Sequence, residues 1–467
     1  MPALSVADIV RATGGTLLRG DSAAVATSFA IDSRRVRRGG AFFALAGARV
    51  DGHRFVGEAG RQGAVVAVVE RDLGTPAGSP ETLVQVPSTP AALAACACAA
   101  RERLTRTRFI GLTGSVGKTT TKDLIAAGLA ATRRVHKTEG NLNNELGVPL
   151  TLLACPDDAE YAVIEMAMRG PGQIAELARW VRPDVGLVTA VRPAHLAMFR
   201  DLDDIAAAKG ELYAVLPAES ISVVNLDDPL ACLQSFRHAG RRVTYGRGET
   251  ADVRIERIED RFVPGAELAV RIAGGLVTVG LRFPGAHAAI NAAAALATIH
   301  AAGEPVGPAA LALAAVEPPP GRGRVLDLGA QITLVDDTYN SNPAALGSVL
   351  ETLRRSHPKG RKILVLGDML ELGPGEREYH EEAGRLAAAA GVTVLIAVGP
   401  LARAALPSAR IGGVVEAHAA EDADRAAEIL AERLAPGDLV VVKGSRGVAL
   451  DRVVDALAAR PAVEGNG

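Results

Sequence analysis

Aromatic residues are scarce in this sequence, 3% of the total with a single Trp, so its cores must be filled with Ala, Val and Leu. Lys and Arg never gather into a block or stripe, and the formal net charge is −2. That excludes a nucleic-acid surface, which needs clustered cations to displace counterions. Purely apolar runs fall far short of the roughly 20 residues of a membrane span. Residues 1–15 have neither a basic segment nor a continuous apolar stretch, so they do not read as a signal peptide. Cys96, Cys98, Cys155 and Cys232 offer no metal-ligand spacing and read as reduced thiols. No repeat with a period of about 20–50 residues is present. These absences predict a soluble, cytoplasmic protein with no nucleic-acid partner and no membrane insertion.

The chain has 467 residues, of which 48% are hydrophobic. That exceeds one ordinary core at roughly 100–200 residues per domain. Three blocks emerge. Residues 1–86 alternate short strand-like runs at 41–45, 64–69 and 83–86 with loops rich in Gly and charge. Residues 87–314 open on an Ala-rich helical segment, 90–104. Apolar strands then follow at 109–112, 161–165, 185–190 and 222–225, alternating with helical patterns such as 205–216. Such alternation predicts βαβ units and a mostly parallel sheet. Pro318-Pro319-Pro320-Gly321 punctuates the chain as a linker. Residues 315–467 repeat the pattern, with strands at 362–366, 392–398 and 439–442, and read as a Rossmann-like domain. The fold class is therefore α/β in three domains: a small N-terminal one, a central phosphate-loop one, and a doubly wound C-terminal one.

The sharpest local signal is Thr113-Gly114-Ser115-Val116-Gly117-Lys118-Thr119-Thr120, directly after a strand and before a helix. Glycines let backbone N–H groups close around phosphate oxygens, and the helix N-terminus adds its positive end. Lys118 can neutralise the outer phosphates, and the Thr119 hydroxyl can ligate Mg²⁺. In the general G-x-x-x-x-G-K-[ST] pattern the first glycine would fall at Leu112, so this is the shorter T-G-x-x-G-K-T form. By itself the loop does not separate a ligase from a kinase, an ATPase or a switch.

Glu165 ends an apolar strand, where a phosphate-loop fold places its metal-holding carboxylate. His195 follows the next strand, and parallel strands open onto one crevice. Lys209 lies on a helical pattern, where a lysine on pattern alone is a solvated one. These three, with the loop, occur in the order and approximate spacing of the Mur ligase family, which the chain resembles over nearly its whole length. The resemblance implies two Mg²⁺ ions held by Thr119, Glu165 and His195, with Lys209 as a carbamate. It also implies catalytic roles for Lys118, Lys209, His195 and Arg322.

Further segments carry the likeness. Asp32-Ser33-Arg34, Phe43-Ala44-Leu45 with Gly47, and His53 resemble the domain that holds the UDP part of the substrate. Asn141, Asn143 and Asn144 resemble a loop near the muramoyl-peptide carboxylate, although turn formation alone also favours such amides. Gly285-Ala286-His287-Ala288-Ala289-Ile290-Asn291 resembles a nucleotide-lining motif whose first Asn is here Ala288. The implied ATP site comprises Gly114, Ser115, Gly117, Lys118, Thr119, Thr120, His287, Asn291, Arg322, Asp337 and Asn340. Asn340, Asn342 and Pro343, with residues 366–373 and 443–446, resemble the branch that adds D-alanyl-D-alanine. That branch is an ADP-forming ligase joining D-Ala-D-Ala to UDP-N-acetylmuramoyl-tripeptide through an acyl phosphate. Its product is a peptidoglycan precursor, and so serves cell-wall biogenesis, cell shape and division. Family precedent implies a monomer, and the three-block layout predicts a hinge near residues 318–324. The remaining alternatives are another Mur-type or folylpolyglutamate-type ligase and a phosphate-loop NTPase switch.

Overall fold

The computed structural model describes residues 3–47, 50–193 and 198–459. Among these, the strands form four sheets. In the first block, five strands lie in the order Thr16–Arg19, Thr82–Gln85, Ala64–Val69, Gly40–Phe43, Ser28–Ala30, parallel except for the first pair. A two-stranded antiparallel pair, Leu4–Ser5 with Val25–Ala26, lies beside it.

The large sheet has nine strands. Val135–Lys137, Tyr161–Glu165, Arg108–Thr113, Val185–Val188, Ile221–Asn225, Arg241–Gly246 and Val253–Glu259 run parallel across it. Glu267–Ile272 and Gly275–Gly280 then turn back antiparallel. The two are joined through Ala273 and Gly274, both at positive φ, as a two-residue hairpin turn requires. The helix–strand alternation in the sequence predicts the parallel strands but not this hairpin. The alternation of helix and strand that marks βαβ units stops before residue 253.

Few aromatics leave a core built by close approach. Helix Lys118–Ala130 packs on helices Ala286–Ala301 and Val306–Ala314. A Cβ at Gly128 would lie 2.4 Å from Ile299 Cδ1, so any larger residue there would force the neighbouring side chains to shift. Another apolar cluster runs from the first sheet through helix Thr89–Arg103 into the large sheet, taking in Phe43, Leu93, Cys96 and Phe109. All four cysteines are unpaired, and burial pushes the Cys96 and Cys155 thiols up to about 12.

The last sheet, Arg324–Asp327, Thr333–Asp337, Leu439–Lys443, Lys362–Gly367, Val394–Val398, Glu416–Ala420, is parallel apart from its first pair. Separate apolar clusters cover its two faces, the signature of a doubly wound domain. Phe262, from the connection before Glu267–Ile272, belongs to one of them, and the Thr352 hydroxyl donates to Asp260 Oδ2 at 3.2 Å. The central block thus reaches into the C-terminal one at a second place besides the linker.

Candidate active site

The phosphate loop sits between strand Arg108–Thr113 and helix Lys118–Ala130. Gly114 and Gly117 have φ of 151° and 81°, and a Cβ at either would lie 2.0 Å from Thr189 Oγ1 or 2.4 Å from Asn291 Oδ1. Both glycines are therefore dictated by backbone and by neighbours. Asn291, on helix Ala286–Ala301, borders the loop at that close approach. Lys118 Nζ folds back to donate to the Gly114 carbonyl at 2.7 Å and the Ser115 carbonyl at 3.3 Å. Desolvation lowers its proton affinity, Glu165 opposes this, and Arg322 adds to it. That ordering places a carboxylate and a guanidinium within electrostatic reach of one ammonium.

Glu165 ends strand Tyr161–Glu165 and is 1% exposed. Its Oε1 accepts from the Thr119 hydroxyl at 3.2 Å and from Asn143 Nδ2 at 2.8 Å, while Oε2 is buried without a hydrogen-bond partner among the described residues. Its backbone N–H donates to Thr138 Oγ1 at 3.0 Å. A buried carboxylate oxygen left bare costs free energy unless something else occupies it. Lys209, on helix Leu202–Val215, is 3% exposed and has no hydrogen-bond partner among the described residues. It is thus not the solvated helix lysine that its pattern alone suggests. Burial drives its proton affinity well down, and the nearby Lys118 ammonium adds to this. His195 lies outside the described residues. Among the described residues no group of three or more His, Cys, Asp or Glu is arranged to hold a metal.

From the linker, Arg322 stacks on the Tyr339 ring, 3.9 Å from its centroid. Asp336 fixes this segment: its Oδ2 accepts from the Gly321 N–H at 2.8 Å and its Oδ1 from the Thr338 hydroxyl at 2.7 Å. Asp337 and Asn340 both contact Lys443, whose Nζ donates to Asp337 Oδ2 at 2.6 Å and to the Asn340 carbonyl at 3.0 Å. Asn342 Oδ1 accepts from the Ala345 N–H at 2.8 Å, capping helix Pro343–Arg355, with Pro343 in its first turn. His287 faces that helix, with Nδ1 3.1 Å from Ser348 Oγ. Ala288 is packed into the apolar cluster under the large sheet, so this position offers no polar contact.

The first block is different. The Ser33 hydroxyl donates to Glu58 Oε2 at 2.9 Å, and Arg34 pairs with Asp32 at 2.7 Å. Phe43 and Ala44 are fully buried. The Leu45 carbonyl accepts from Gly52 N–H, and Gly47 N–H donates to the Val50 carbonyl. His53 Nδ1 lies 2.6 Å from Asp51 Oδ1, and its Nε2 accepts from the Glu70 N–H at 2.9 Å. Of the three amides after residue 140, Asn143 reaches Glu165, Asn144 Oδ1 accepts from the Gly147 N–H at 2.9 Å, and Asn141 is exposed.

Several polar residues behind the loop went unread in the sequence. The Thr189 hydroxyl donates to the Val116 carbonyl at 2.6 Å, and the Thr189 carbonyl accepts from Asn225 Nδ2 at 3.0 Å and the Tyr245 hydroxyl at 3.2 Å. Asp228 belongs with them. The available signal was polar residues immediately after apolar strands, on the edge where Glu165 also lies.

A phosphate loop on a parallel sheet, facing a second doubly wound sheet across a glycine-flanked linker, defines a three-part phosphate-loop α/β protein. Family models bear this out along the chain: the Mur ligase middle domain matches residues 112–299, the Mur ligase glutamate ligase domain 321–446, and the Mur ligase family catalytic domain 26–101. A Synechocystis protein named UDP-N-acetylmuramoyl-tripeptide–D-alanyl-D-alanine ligase is 38% identical, over 92% of this chain and 91% of its own length. The crystal structure of MurF from Acinetobacter baumannii superposes with a TM-score of 0.88 at 28% identity, covering 98% of this chain and all of that one. MurF ligase from Thermotoga maritima in complex with ADP gives 0.79 at 31% identity, covering 92% of this chain and 97% of that one. The chain belongs to the Mur ligase family. Among its described residues no helix is long and apolar enough to cross a membrane.

Proposed function

We propose that this chain is the ATP-dependent ligase that joins D-alanyl-D-alanine to UDP-N-acetylmuramoyl-tripeptide. The likeness to relatives of that name along the whole chain supports the choice of amine and acceptor. The observation that carries the chemistry is Glu165, whose buried Oε2 has no partner among the described residues while Oε1 accepts from the Thr119 hydroxyl, one residue from Lys118.

A carboxylate is a poor acyl donor because its leaving group would be oxide. In the proposed reaction the tripeptide's terminal carboxylate oxygen attacks the γ-phosphorus of ATP, and ADP departs. The D-Ala-D-Ala amine then attacks the acyl carbon, and phosphate leaves as the amide forms. Such phosphoryl transfer asks mainly for positioning and charge neutralisation. Lys118 exchanges its two loop carbonyls for phosphate oxygens, and Arg322, already close to Lys118, adds a second cation. The loop from Gly114 to Thr120, with Asn291 and His287, lines the nucleotide. Asp337 and Asn340 approach it from the C-terminal side.

The donor set fits magnesium: a bare carboxylate oxygen beside a hydroxyl is hard-oxygen chemistry. Thr119 and Glu165 would hold it, with His195 and Lys209. When bound, the ion supplies positive charge to the phosphates. Lys209 suits modification, since burial favours its neutral amine, the form that adds CO₂ and releases a proton to give a carbamate. Residues 1–86 form the UDP-sugar domain in this reading, with Ser33, Arg34, Leu45, Gly47 and His53 at its substrate side. Residues 87–314 hold ATP, and 315–467 receive the incoming dipeptide through Asn340, Asn342 and Pro343. Closure about residues 318–324 keeps water from the acyl phosphate. The protein works in the cytoplasm as a monomer.

Phosphate release from MgATP, measured with UDP-N-acetylmuramoyl-tripeptide and with or without D-Ala-D-Ala, tests the proposal. Release that requires both, with a matching pentapeptide, is expected. Release independent of both would move the chain to the NTPase reading.

A further inference from the structure

Behind the phosphate loop, Asp228 lies three residues beyond strand Ile221–Asn225 and is 1% exposed. Its Oδ1 accepts from the Ala231 N–H at 2.9 Å and caps helix Pro229–Ser235. A serine, threonine or asparagine would cap equally well. The carboxylate does more, because Oδ2 accepts from the Val191 N–H at 2.9 Å and from Arg192 Nη1 at 2.6 Å. A charge this deeply buried persists only when paired and hydrogen-bonded, and among the described residues the partners of Oδ2 all belong to residues 191–192.

That segment is laced to the phosphate loop. The Ser115 hydroxyl donates to the Arg192 carbonyl at 2.8 Å and accepts from the Arg192 N–H at 3.0 Å. The Ser115 N–H donates to the Ala190 carbonyl at 2.8 Å. A residue whose N–H gives to one hydroxyl and whose carbonyl takes from it fixes that hydroxyl in place, and Asp228 grips the side chain of the same residue and the N–H of the residue before it. The polar chain therefore runs from Asp228 through residues 191–192 to Ser115, in the middle of the loop.

We infer that Asp228 is a positioning residue for the phosphate loop: it holds residues 191–192 so that Ser115, and with it the loop's phosphate-facing backbone, keeps one shape. It touches no substrate. The inference rests on the loop binding the nucleotide, and it adds a residue outside the loop that sets nucleotide affinity.

Asp228→Asn keeps an oxygen for the helix cap and replaces Oδ2 with an amide that cannot accept from Val191. ADP binding by calorimetry, thermal melting, and binding of the UDP-sugar substrate are measured for Asp228→Asn, Ser115→Ala and the double variant. Asp228→Asn should weaken ADP ~10-fold, as expected for losing charge-assisted hydrogen bonds, and leave the UDP-sugar substrate unaffected. The double variant should bind ADP no more than ~2-fold worse than the weaker single, since both act through one chain of contacts. Losses that multiply, or unchanged ADP affinity in a folded Asp228→Asn, would overturn the inference. Should that variant not fold, Arg192→Lys carries the same cycle, because the Arg192 side chain is 43% exposed. Wild-type protein that binds no ADP would overturn the nucleotide reading itself. ADP binding that Lys118→Ala weakens but Asp228→Asn does not would overturn the Asp228 role alone.

Discussion

Glu165 and His53 are nearly equally hidden, 1% and 4% exposed, yet their surroundings differ in kind. His53 has both ring nitrogens engaged, one beside Asp51 and one taking the Glu70 N–H. Among the described residues Glu165 keeps a carboxylate oxygen with no hydrogen-bond partner, and Lys209, 3% exposed, has none there either. At His53 the polar atoms complete the scaffold. At Glu165 and Lys209 they are left over, and buried polar capacity left over beside a phosphate loop is what a ligand or ion completes. The family resemblance of the sequence motifs picks out residues in both regions without distinguishing the two kinds.

The strongest way to break this contrast is to remove charge at the loop. Lys118→Ala should reduce kcat by roughly 10²-fold or more, the scale of losing an electrostatic contact at the transition state. Near-normal turnover would contradict the role. Glu165→Gln should likewise lower kcat by about 10²-fold while leaving the melting temperature level or raised, because it removes a buried charge. A melting temperature that falls sharply with activity retained would make Glu165 scaffold.

His53→Ala tests the other side. It should destabilise the fold by about 1–3 kcal/mol, the cost of orphaning buried partners, seen as a lower denaturation midpoint, with ATP-side kinetics unchanged. A denaturation midpoint equal to that of the wild type would contradict the scaffold role of His53, whatever the effect on the UDP-sugar substrate.

The smallest effect concerns pH. Burial lowers the proton affinity of Lys209 well below its ordinary 10.5. Between the lowered value and 10.5 the unfolded chain binds more protons, so this group makes stability rise with pH across that window. Lys209→Met should flatten that rise in denaturation curves measured at several pH values. An unchanged slope would mean that the lysine is solvated.

What the sequence made legible was local. Strand, glycines, Lys118 and helix fall within residues 108–130, so the loop needs no knowledge of the rest. Glu165 could be read because a strand end repeats the same geometry. The supporting groups were not legible, because their partners lie far along the chain: Thr189 meets Val116 across 73 residues and Asp228 meets Val191 across 37. Amides are ambiguous for a different reason. Asn144 and Asn342 resemble ligand contacts in a string, and the structure also gives Asn342 a helix N-terminus to cap and Asn144 the Gly147 N–H. The same oxygen chemistry serves both purposes.

The central claim is an acyl phosphate formed at the loop and consumed by an amine. Heavy oxygen placed in the terminal carboxylate of the tripeptide tests it most directly. The account predicts that the label appears in the released inorganic phosphate and is retained in the new amide carbonyl. Unlabelled phosphate accompanying amide formation would contradict it, since the carboxylate oxygen would then never have bonded to phosphorus.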